Sequence, residues 1–408
     1  MARVLVVNIP AEGHINPTLG LVKQLIDCGE HVVYLCTEEY RDKVLQTGAE
    51  FRAYPFQTDP FSHDPDLKPA PYKHPSQFAN MVVRGIIQKI IPEALKVAEQ
   101  DTYNYLIFDS LMGWGGTILA QRLGIPAVCS IASFAFVDPL GSEQDSYEDV
   151  DGGDVENLYA STMELAHQLA RQFNVPVPSI KELTKHAGQL KIIYTSRYLQ
   201  PKADQLDESF LFTGTSIVPR LDAPPFAFEQ LLDSSRKIVY ISMGTILNRD
   251  LAFYKLCFDA FRQLPFQFIL SSGRDTDMTP LADCIPDNFI VRPYIPQLEV
   301  LERADAFVTH AGMNSVSEAL YYDVPMVMIP LTSDQPLVSN RVQELGGGIT
   351  LKPSTLTPED LREALLQILN DRSYKQQACT IGESLRQAGG YVRAADAIIR
   401  TFSTVEQK

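Results

Sequence analysis

The chain has 408 residues, too many for one ordinary hydrophobic core, so two domains are expected. Its formal charge is −15, from 35 basic and 50 acidic side chains, and its cysteines are scattered rather than paired. Nucleic acid is therefore not expected as a partner, because binding phosphates requires a basic face. No apolar run approaches the length that spans a bilayer, which argues against stable membrane insertion. The N-terminal stretch MARVLVVNIP resembles a first buried strand more than a signal peptide.

The six cysteines include no C-x-x-C pair. In a long chain this pattern is typical of reduced cysteines in a cytoplasmic protein. The seven histidines do not cluster with the cysteines, so a zinc site is improbable. D-x-D pairs occur in polar segments, but they lack the further oxygen ligands of a cation site, and no metal is expected.

The first half of the chain alternates strands and helices. Asn16 and Pro17 predict the N-cap and first residue of a helix, and Gly29 predicts its end. Strands are predicted at VLVVNI, HVVYLCT, YLIFDS and IPAVCS. This alternation predicts a parallel, doubly wound sheet.

The second half repeats that architecture. Residues 213–228 are rich in proline and turn formers, which predicts a linker between domains 1–212 and 229–385. A last helical segment, residues 386–408, includes VRAADAIIRTFSTV. Strands are predicted at KIVYISMG, FQFILSS, FIVRPY, AFVTH, PMVMIP and GITL. The fold class is therefore α/β, with two doubly wound, Rossmann-like domains facing each other across a cleft, where ligands bind beyond the carboxyl ends of strands.

Polar residues follow the predicted strand AFVTH. His310 ends the strand, and the helix after Gly312 begins near Asn314. The amides of a first helical turn, with the helix dipole, suit a phosphate. Ser315 and Glu318 fit the capping box S-x-x-E, but Asn314 and Glu318 also share one helix face. Glu318 is therefore either a cap of its own helix or a ligand contact.

Two neighbouring strand ends carry similar residues. Asp334 and Gln335 follow PMVMIP, where they either contact a ligand or cap the next helix. Gly244 and Thr245, in SMGT, supply backbone and hydroxyl donors for a second phosphate. Because these residues fall at the same end of parallel strands, the second half is predicted to hold one site.

The first half has its own pair. His14 lies in the predicted loop after strand one, and Asp109 ends strand YLIFDS. If those strands are neighbours, the side chains can meet, and a carboxylate that holds a histidine makes it a general base. The alternatives are a solvated loop histidine and an aspartate that only caps. No G-x-G-x-x-G, P-loop or G-x-S-x-G motif is present, so a dinucleotide fold, a P-loop kinase and a serine elbow are not supported.

Together, these motifs resemble a known family. HAGMNSVSEAL and PLTSDQ are similar to the donor-binding signature of family-one UDP-sugar glycosyltransferases, which have the GT-B fold. The resemblance extends through GHINP, FDS, SMGT and PYIPQLEVL, and it is greatest to the bacterial macrolide and flavonoid branch. It implies an N-terminal acceptor-binding domain, a C-terminal nucleotide-sugar-binding domain, and a C-terminal helix that packs back on the first domain.

The resemblance also implies roles for individual residues. His14 is the expected catalytic base, with Asp109 as its partner. Tyr294 lies where plant members usually have tryptophan and is expected to face uracil, while the Ile295 backbone pairs with the base edge. The remaining expected contacts are Gln297 and Glu318 to the ribose, Thr245, His310, Gly312, Asn314 and Ser315 to the diphosphate, Asp334 and Gln335 to the sugar, and Phe56, Met81, Met112 and Phe134 to the acceptor.

The expected reaction is an inverting transfer of a hexosyl group, with glucose preferred, from a UDP-sugar to a hydroxyl of a hydrophobic acceptor. Such an acceptor is a flavonoid, another phenol or a macrolide. No cofactor is expected besides the UDP-sugar co-substrate, and helix amides with His310 are expected to neutralise the leaving diphosphate without a metal. The alternatives are a UDP-sugar epimerase of the same fold and a nucleotide-sugar binding protein without turnover.

Overall fold

The computed structural model describes residues 1–55, 75–136, 153–219, 225–230, 235–245 and 248–403. The chain divides into two compact units, with crossings between Ser216 and Ile217 and between Gln387 and Ala388. The short segment Arg197–Pro201 belongs to the second unit, although the chain on both sides of it belongs to the first.

Two parallel sheets contain the strands of the described residues. Each central strand is a run of β-branched and apolar residues that is buried along its length, as expected for strands covered by helices on both faces. The strands are β1 (Arg3–Val7), β2 (His31–Cys36), β3 (Glu50–Ala53), β4 (Tyr105–Asp109), β5 (Ala127–Ile131), β6 (Leu190–Ile193), β7 (Phe210–Phe212), β8 (Ile238–Ser242), β9 (Gln267–Ser271), β10 (Phe289–Arg292), β11 (Ala306–Thr309), β12 (Met326–Met328) and β13 (Gly348–Thr350).

The helices of the described residues cover these sheets. They are α1 (Glu12–Asp27), α2 (Arg41–Leu45), α3 (Pro75–Gly85), α4 (Ile91–Ala98), α5 (Trp114–Leu123), α6 (Gly153–Phe173), α7 (Ile180–Thr184), α8 (Leu251–Phe261), α9 (Gln297–Leu301), α10 (Met313–Tyr321), α11 (Gln335–Glu344), α12 (Pro358–Asn370), α13 (Arg372–Gln387) and α14 (Gly390–Ser403).

The first unit contains a seven-stranded sheet in the order β3-β2-β1-β4-β5-β6-β7. Strand β1 lies between β2 and β4, so the loops after β1 and β4 emerge side by side. The second unit contains a six-stranded sheet in the order β10-β9-β8-β11-β12-β13, in which the order reverses between β8 and β11. Both sheets are parallel and doubly wound, as predicted, and such a reversal is where α/β sheets bind ligands.

Strands β3, β6 and β7 occur where no strand was predicted. They are only three or four residues long, and β3 and β6 carry charged side chains. Short segments of this kind have weak periodicity, and they form strands here because a parallel neighbour pairs with them.

The predicted start of the first helix is wrong. Helix α1 begins at Glu12, with Ala11 as the N-cap, and Pro17 lies inside it. A proline this close to the N-terminus removes a single helical hydrogen bond, and contacts from outside the helix hold the first turn. Asn8 Nδ2 donates to the carbonyl oxygen of His14, and Lys43 pairs with Glu12 at 2.7 Å. His14 is therefore the third residue of a helix and not a loop residue.

The last helix, α14, packs in the first unit. Ala394, Ala395, Ile398 and Phe402 belong to the same buried cluster as residues of α1 and β1. The backbone N–H of Gly390 donates to the carbonyl oxygen of Thr213 at 2.6 Å, which ties the start of this helix to the end of the first unit's sheet. Within the described part of the chain, no helix has both the length and the apolar character needed to cross a bilayer.

Candidate active site

His14 and Asp109 meet at the carboxyl edge of the first sheet. Asp109 is the last residue of β4, the direct neighbour of β1, and it is 1% exposed. Nδ1 of His14 lies 2.7 Å from Oδ2 of Asp109. The predicted contact between these residues, 95 positions apart, is therefore present.

Asp109 uses its two carboxylate oxygens for different purposes. Oδ1 accepts from the backbone N–H of Leu111 at 2.8 Å, which is the capping role, and Oδ2 faces the His14 ring. A carboxylate against Nδ1 selects the ring form that carries hydrogen on Nδ1, which leaves a lone pair on Nε2. His14 keeps 21% of its side chain exposed, so the pair is open to a molecule from solution.

Asn8 supports this pair, and the sequence reasoning missed it. Its side chain is 1% exposed at the end of β1, where Nδ2 donates to the His14 carbonyl oxygen at 3.1 Å and to the Tyr34 hydroxyl at 2.8 Å. Its Oδ1 accepts from the backbone N–H of Ile9. The sequence could have indicated Asn8, because its amide side chain comes directly after the apolar run VLVV. A polar group in such a buried position needs hydrogen-bond partners.

The residues predicted to touch an acceptor are buried. Met81 and Met112 belong to one hydrophobic cluster of the first unit and are 8% and 2% exposed, and Phe134 is 2% exposed. Phe56 lies outside the described residues. Their contact with an acceptor stays a prediction.

In the second unit, His310 is enclosed by two glycines. It follows β11, the neighbour of β8, and Gly244 follows β8 with φ +79°. A Cβ atom at Gly244 would lie 2.6 Å from Cε1 of His310, and one at Gly312 would lie 2.5 Å from Nε2. Both positions therefore require glycine if the ring is to stay where it is.

The environment of His310 changes its expected role. Burial lowers the pKa of its imidazole to about 4, although a hydrogen bond with the Ser242 backbone opposes that shift. The ring is neutral at pH 7 in this structure. It can therefore neutralise an anion only by donating a hydrogen bond or by taking up a proton when the anion binds.

The helix after His310 begins at Met313 with Gly312 as its N-cap, and no side chain caps it. Ser315 lies inside the first turn, so the capping-box interpretation of Ser315 and Glu318 is wrong. Asn314 lies in the same turn. Backbone amides of such a turn point out of the helix end, where the dipole favours an anion.

Glu318 is instead bonded to another helix. It is 4% exposed, and its Oε2 accepts from Nε2 of Gln297 at 2.7 Å. The same Nε2 lies 3.3 Å from Oγ of Ser315. The fold thus brings together Gln297, Ser315 and Glu318, three residues singled out from the sequence.

Tyr294 and Ile295 precede α9, where Tyr294 is half-buried and Ile295 is buried. The guanidinium carbon of Arg274, from the loop after β9, lies 4.1 Å from the centre of the Tyr294 ring. This distance is that of a cation stacked on an aromatic face. The sequence contained no signal for Arg274, because β9 and the segment before α9 are brought together only by the sheet.

Gln335 shapes the loop after β12. Its Oε1 accepts from the backbone N–H groups of Leu331 at 2.8 Å and Thr332 at 3.1 Å, and it is 8% exposed. Asp334 is the N-cap residue of α11 but makes no side-chain cap, so the interpretation of Asp334 as a cap is wrong. Thr245 is exposed beside Gly244.

The backbone is strained in two of these loops. Ala311 has φ +66° and Ser333 has φ +59°, and both are among the five described non-glycine residues with positive φ. A side chain in the left-handed region costs free energy, and such residues concentrate where the surroundings hold a binding site in shape. No group of three or more histidine, cysteine or acidic side chains suited to a metal is found among the described residues.

Comparison with known proteins places the chain in a family. Residues 169–386 match the family described as "UDP-glucoronosyl and UDP-glucosyl transferase". The chain is 35% identical over 414 residues to a protein of Bacillus subtilis named an uncharacterized UDP-glucosyltransferase, YojK, with 100% of this chain and 98% of the relative covered. It is 28% identical to the oleandomycin glycosyltransferase of Streptomyces antibioticus, with 97% of this chain and 90% of the relative covered.

Solved structures agree with the sequence comparison. The calicheamicin glycosyltransferase CalG4 has a TM-score of 0.82 and 26% identity, with 98% of each chain covered. The two parallel-sheet units are those of a GT-B glycosyltransferase. On this evidence of sequence and fold, the chain belongs to the UDP-glycosyltransferase family and is a GT-B enzyme of that family.

Proposed function

We propose that the enzyme transfers glucose from UDP-glucose to a hydroxyl group of a hydrophobic small molecule, with inversion at the anomeric carbon and His14 as the general base. The observation that carries this proposal is the 2.7 Å contact between Nδ1 of His14 and the buried Asp109 carboxylate. A non-catalytic sugar-nucleotide binder has no need of such a pair, and neither does an epimerase.

The pair supplies the chemistry of deprotonation. Nε2 of His14 takes the proton of the acceptor hydroxyl as its oxygen attacks the anomeric carbon and UDP leaves. Asp109 orients the ring through Nδ1 and stabilises the imidazolium that forms. The Asp109 carboxylate is itself held by the Leu111 N–H, so the ring direction is set before the acceptor arrives.

The second unit binds the donor in this proposal. Tyr294 stacks on the uracil and the Ile295 backbone pairs with the base edge. Gln297 and Glu318, which we call the ribose clamp, hold the ribose hydroxyls. Their mutual bond supports this assignment, because it holds the amide and the buried carboxylate side by side, where two adjacent hydroxyls can reach both.

The diphosphate is held where strands β8 and β11 end. The proposed contacts are the amides of Gly312 and Asn314 at the start of α10, the hydroxyl groups of Ser315 and Thr245, and the ring of His310. Gly244 and Gly312 permit the close approach of the ring to the backbone. Asp334 and Gln335 hold sugar hydroxyls in a loop whose shape the Gln335 side chain helps to maintain.

The proposed acceptor follows from the names of similar proteins and from three apolar residues of the first unit. The similar proteins are named for oleandomycin and calicheamicin, and the apolar residues are Met81, Met112 and Phe134. A flavonoid, another phenol or a macrolide fits an apolar acceptor site in the first unit. We also propose that the enzyme acts in the cytoplasm, since its cysteines are free, and that residues 213–228 link an acceptor domain to a donor domain.

The test is product formation. UDP-glucose is incubated with a panel of phenols and macrolides, products are found by mass spectrometry, and the anomeric configuration is read by NMR. A β-glucoside from the α-linked donor supports the proposal. A UDP-linked epimer without transfer would indicate the epimerase, and UDP-glucose binding without any new product would indicate the non-catalytic binder.

A further inference from the structure

A buried tyrosine lies beneath the ribose clamp. Tyr240 is the third residue of β8 and is 1% exposed. Its ring stacks on that of Phe307, its register partner on β11, with centroids 4.9 Å apart and planes inclined by 14°. Two rings paired across neighbouring strands in a close-packed core have little freedom to move. The position of the Tyr240 hydroxyl is therefore set by the sheet itself.

That hydroxyl reaches the ribose clamp. Tyr240 OH donates to Oε1 of Gln297 at 3.4 Å, a long bond, while Nε2 of Gln297 donates to Oε2 of Glu318 at 2.7 Å. The Gln297 amide therefore has its oxygen toward the strand and its nitrogen toward the carboxylate. A hydroxyl donor on one side and a carboxylate acceptor on the other favour the same amide orientation.

We propose that Tyr240 is a positioning residue that determines how strongly the enzyme prefers donors with a ribose 2′-hydroxyl. This inference rests on the proposed function, in which Gln297 and Glu318 bind that sugar. Without the Tyr240 hydroxyl, Oε1 of Gln297 faces an apolar ring edge, and the amide keeps only the bonds that Nε2 donates to Glu318 and Ser315. The amide is then positioned less firmly beside Glu318, and the contact that distinguishes ribose from deoxyribose weakens.

The variant Tyr240→Phe tests this by removing one oxygen. Binding of UDP and 2′-deoxy-UDP is measured by calorimetry in the full chain. The expected Kd for UDP rises about three- to tenfold, the effect of one hydrogen bond, while that for 2′-deoxy-UDP changes less than about twofold. In turnover, KM for UDP-glucose rises while kcat at saturating donor is kept, because the hydroxyl does not touch the reacting atoms.

Tyr105→Phe is the matched control. Tyr105 is also 1% exposed and also stacked on a phenylalanine, Phe402, at 5.0 Å, but it lies in the first unit. Its hydroxyl makes no hydrogen bond with any of the described residues. Tyr105→Phe is expected to leave the affinities for UDP and 2′-deoxy-UDP unchanged. It therefore distinguishes the specific effect of the Tyr240 hydroxyl from the general effect of removing a buried tyrosine hydroxyl.

A double-mutant cycle supplies a second reading. In Gln297→Leu the tyrosine hydroxyl has no amide to position, so adding Tyr240→Phe is expected to change UDP affinity no further. If the double variant loses as much UDP affinity as the two single variants together, the inference is overturned. An equal loss of UDP and 2′-deoxy-UDP affinity in Tyr240→Phe alone also overturns it, because such a loss would mark a general packing defect.

The two levels of the proposal fail in different ways. If the wild-type enzyme binds UDP and 2′-deoxy-UDP equally, the ribose clamp is wrongly assigned, and both the donor assignment and this inference fall. If the wild type binds UDP more tightly than 2′-deoxy-UDP and Tyr240→Phe keeps the same ratio of affinities, the donor assignment stands and only the role of Tyr240 is wrong.

Discussion

The ring of His310 lies where a side chain at Gly244 would have to be: a Cβ on Gly244 would come within 2.6 Å of Cε1 and 2.7 Å of Nε2. No real Cβ approaches another atom so closely, so the ring and the β8 loop depend on each other. The glycine also has φ +79°, which a larger residue adopts only with strain. One substitution therefore tests the geometry of the proposed diphosphate site.

Gly244→Ala is expected to displace the His310 ring and to weaken UDP binding by about tenfold to a hundredfold, the effect of losing a hydrogen bond to a charged group. Calorimetry with UDP measures this. Gly124→Ala is the control, because Gly124 has φ +64° but no atom within 4 Å of its Cβ position. Both variants lose stability from the positive φ, and only Gly244→Ala should lose UDP affinity. Equal UDP binding by the two variants would remove His310 from the donor site.

Binding of UDP-glucose is expected to be coupled to proton uptake. Burial lowers the pKa of His310 to about 4. A diphosphate next to the ring favours its charged form and raises that pKa. Between the two values, binding takes up protons, so affinity should increase as pH falls from 7 toward 5.

Calorimetry in buffers of different ionisation enthalpy gives the number of protons taken up on binding. The measurement is made at about pH 5.5, which lies between the lowered pKa of His310 and the ordinary pKa of histidine. The ligand in this experiment is UDP-glucose and not UDP, because UDP has a terminal phosphate that itself titrates in this pH range. His310→Asn serves as the control and should bind without this uptake. Identical proton exchange in both proteins would assign it to another group.

His14→Ala is expected to nearly abolish transfer to aliphatic alcohols, by about 10²–10⁴-fold, yet to keep a visible rate with acidic phenols or thiols. An acidic acceptor is already partly ionised and needs the base less. Asp109→Asn should also lose more rate with alcohols than with acidic phenols or thiols. Its losses should be smaller than those of His14→Ala, since the base itself remains. The measurement is kcat/KM over acceptors of graded acidity.

His31→Ala is the matched control for that series. His31 is an exposed histidine of the same unit at the start of β2, and so lies at the opposite edge of the sheet from the end of β4. His31→Ala should leave kcat/KM unchanged for every acceptor. A uniform loss across all acceptors in His14→Ala, or a collapse of UDP affinity, would make His14 a structural or donor-site residue.

Glu318 is expected to give a preference for UDP-glucose over dTDP-glucose. Its buried carboxylate accepts from both ribose hydroxyls in this assignment, and leaving it short of a donor costs about 1–3 kcal/mol. The ratio of kcat/KM for the two donors measures the preference, and Glu318→Ala should reduce it. A ratio near one in the wild type would contradict the ribose assignment of Glu318.

Chelation of metal ions is expected to leave activity nearly intact. The proposed diphosphate site uses amides at the start of α10 and hydrogen-bonding side chains, whose partial charges face the leaving group. The measurement is the initial rate before and after dialysis against EDTA. A loss that Mg²⁺ or Mn²⁺ restores would point to the D-x-D pairs of the sequence, such as Asp275 and Asp277.

Local patterns in the sequence predicted the class of fold, and they singled out many of the candidate residues, whose roles stay predictions. Short, β-branched apolar runs such as VLVV and YLIF are typical of strands buried on both faces, and their alternation with helices predicts a parallel sheet. Polar residues at the ends of such runs, including His310 and Asp109, then share one edge. Local chemistry was misleading where contacts from elsewhere outweighed it, as at Pro17, whose helix starts earlier because Asn8 and Lys43 hold its first turn.

Only the tertiary structure decided which of these residues lie in contact with one another. The register of β1 beside β4 brings His14 to Asp109, and the order β8-β11 brings His310 against Gly244. Burial, which no local pattern reports, lowers the pKa of His310 to about 4. The packing of α9 also brings Gln297 to the Tyr240 hydroxyl, 57 residues away in the sequence. A sequence determines periodicity and local preference, which depend on near neighbours, whereas a site depends on side chains from distant segments, and their distances exist only once the sheet has formed.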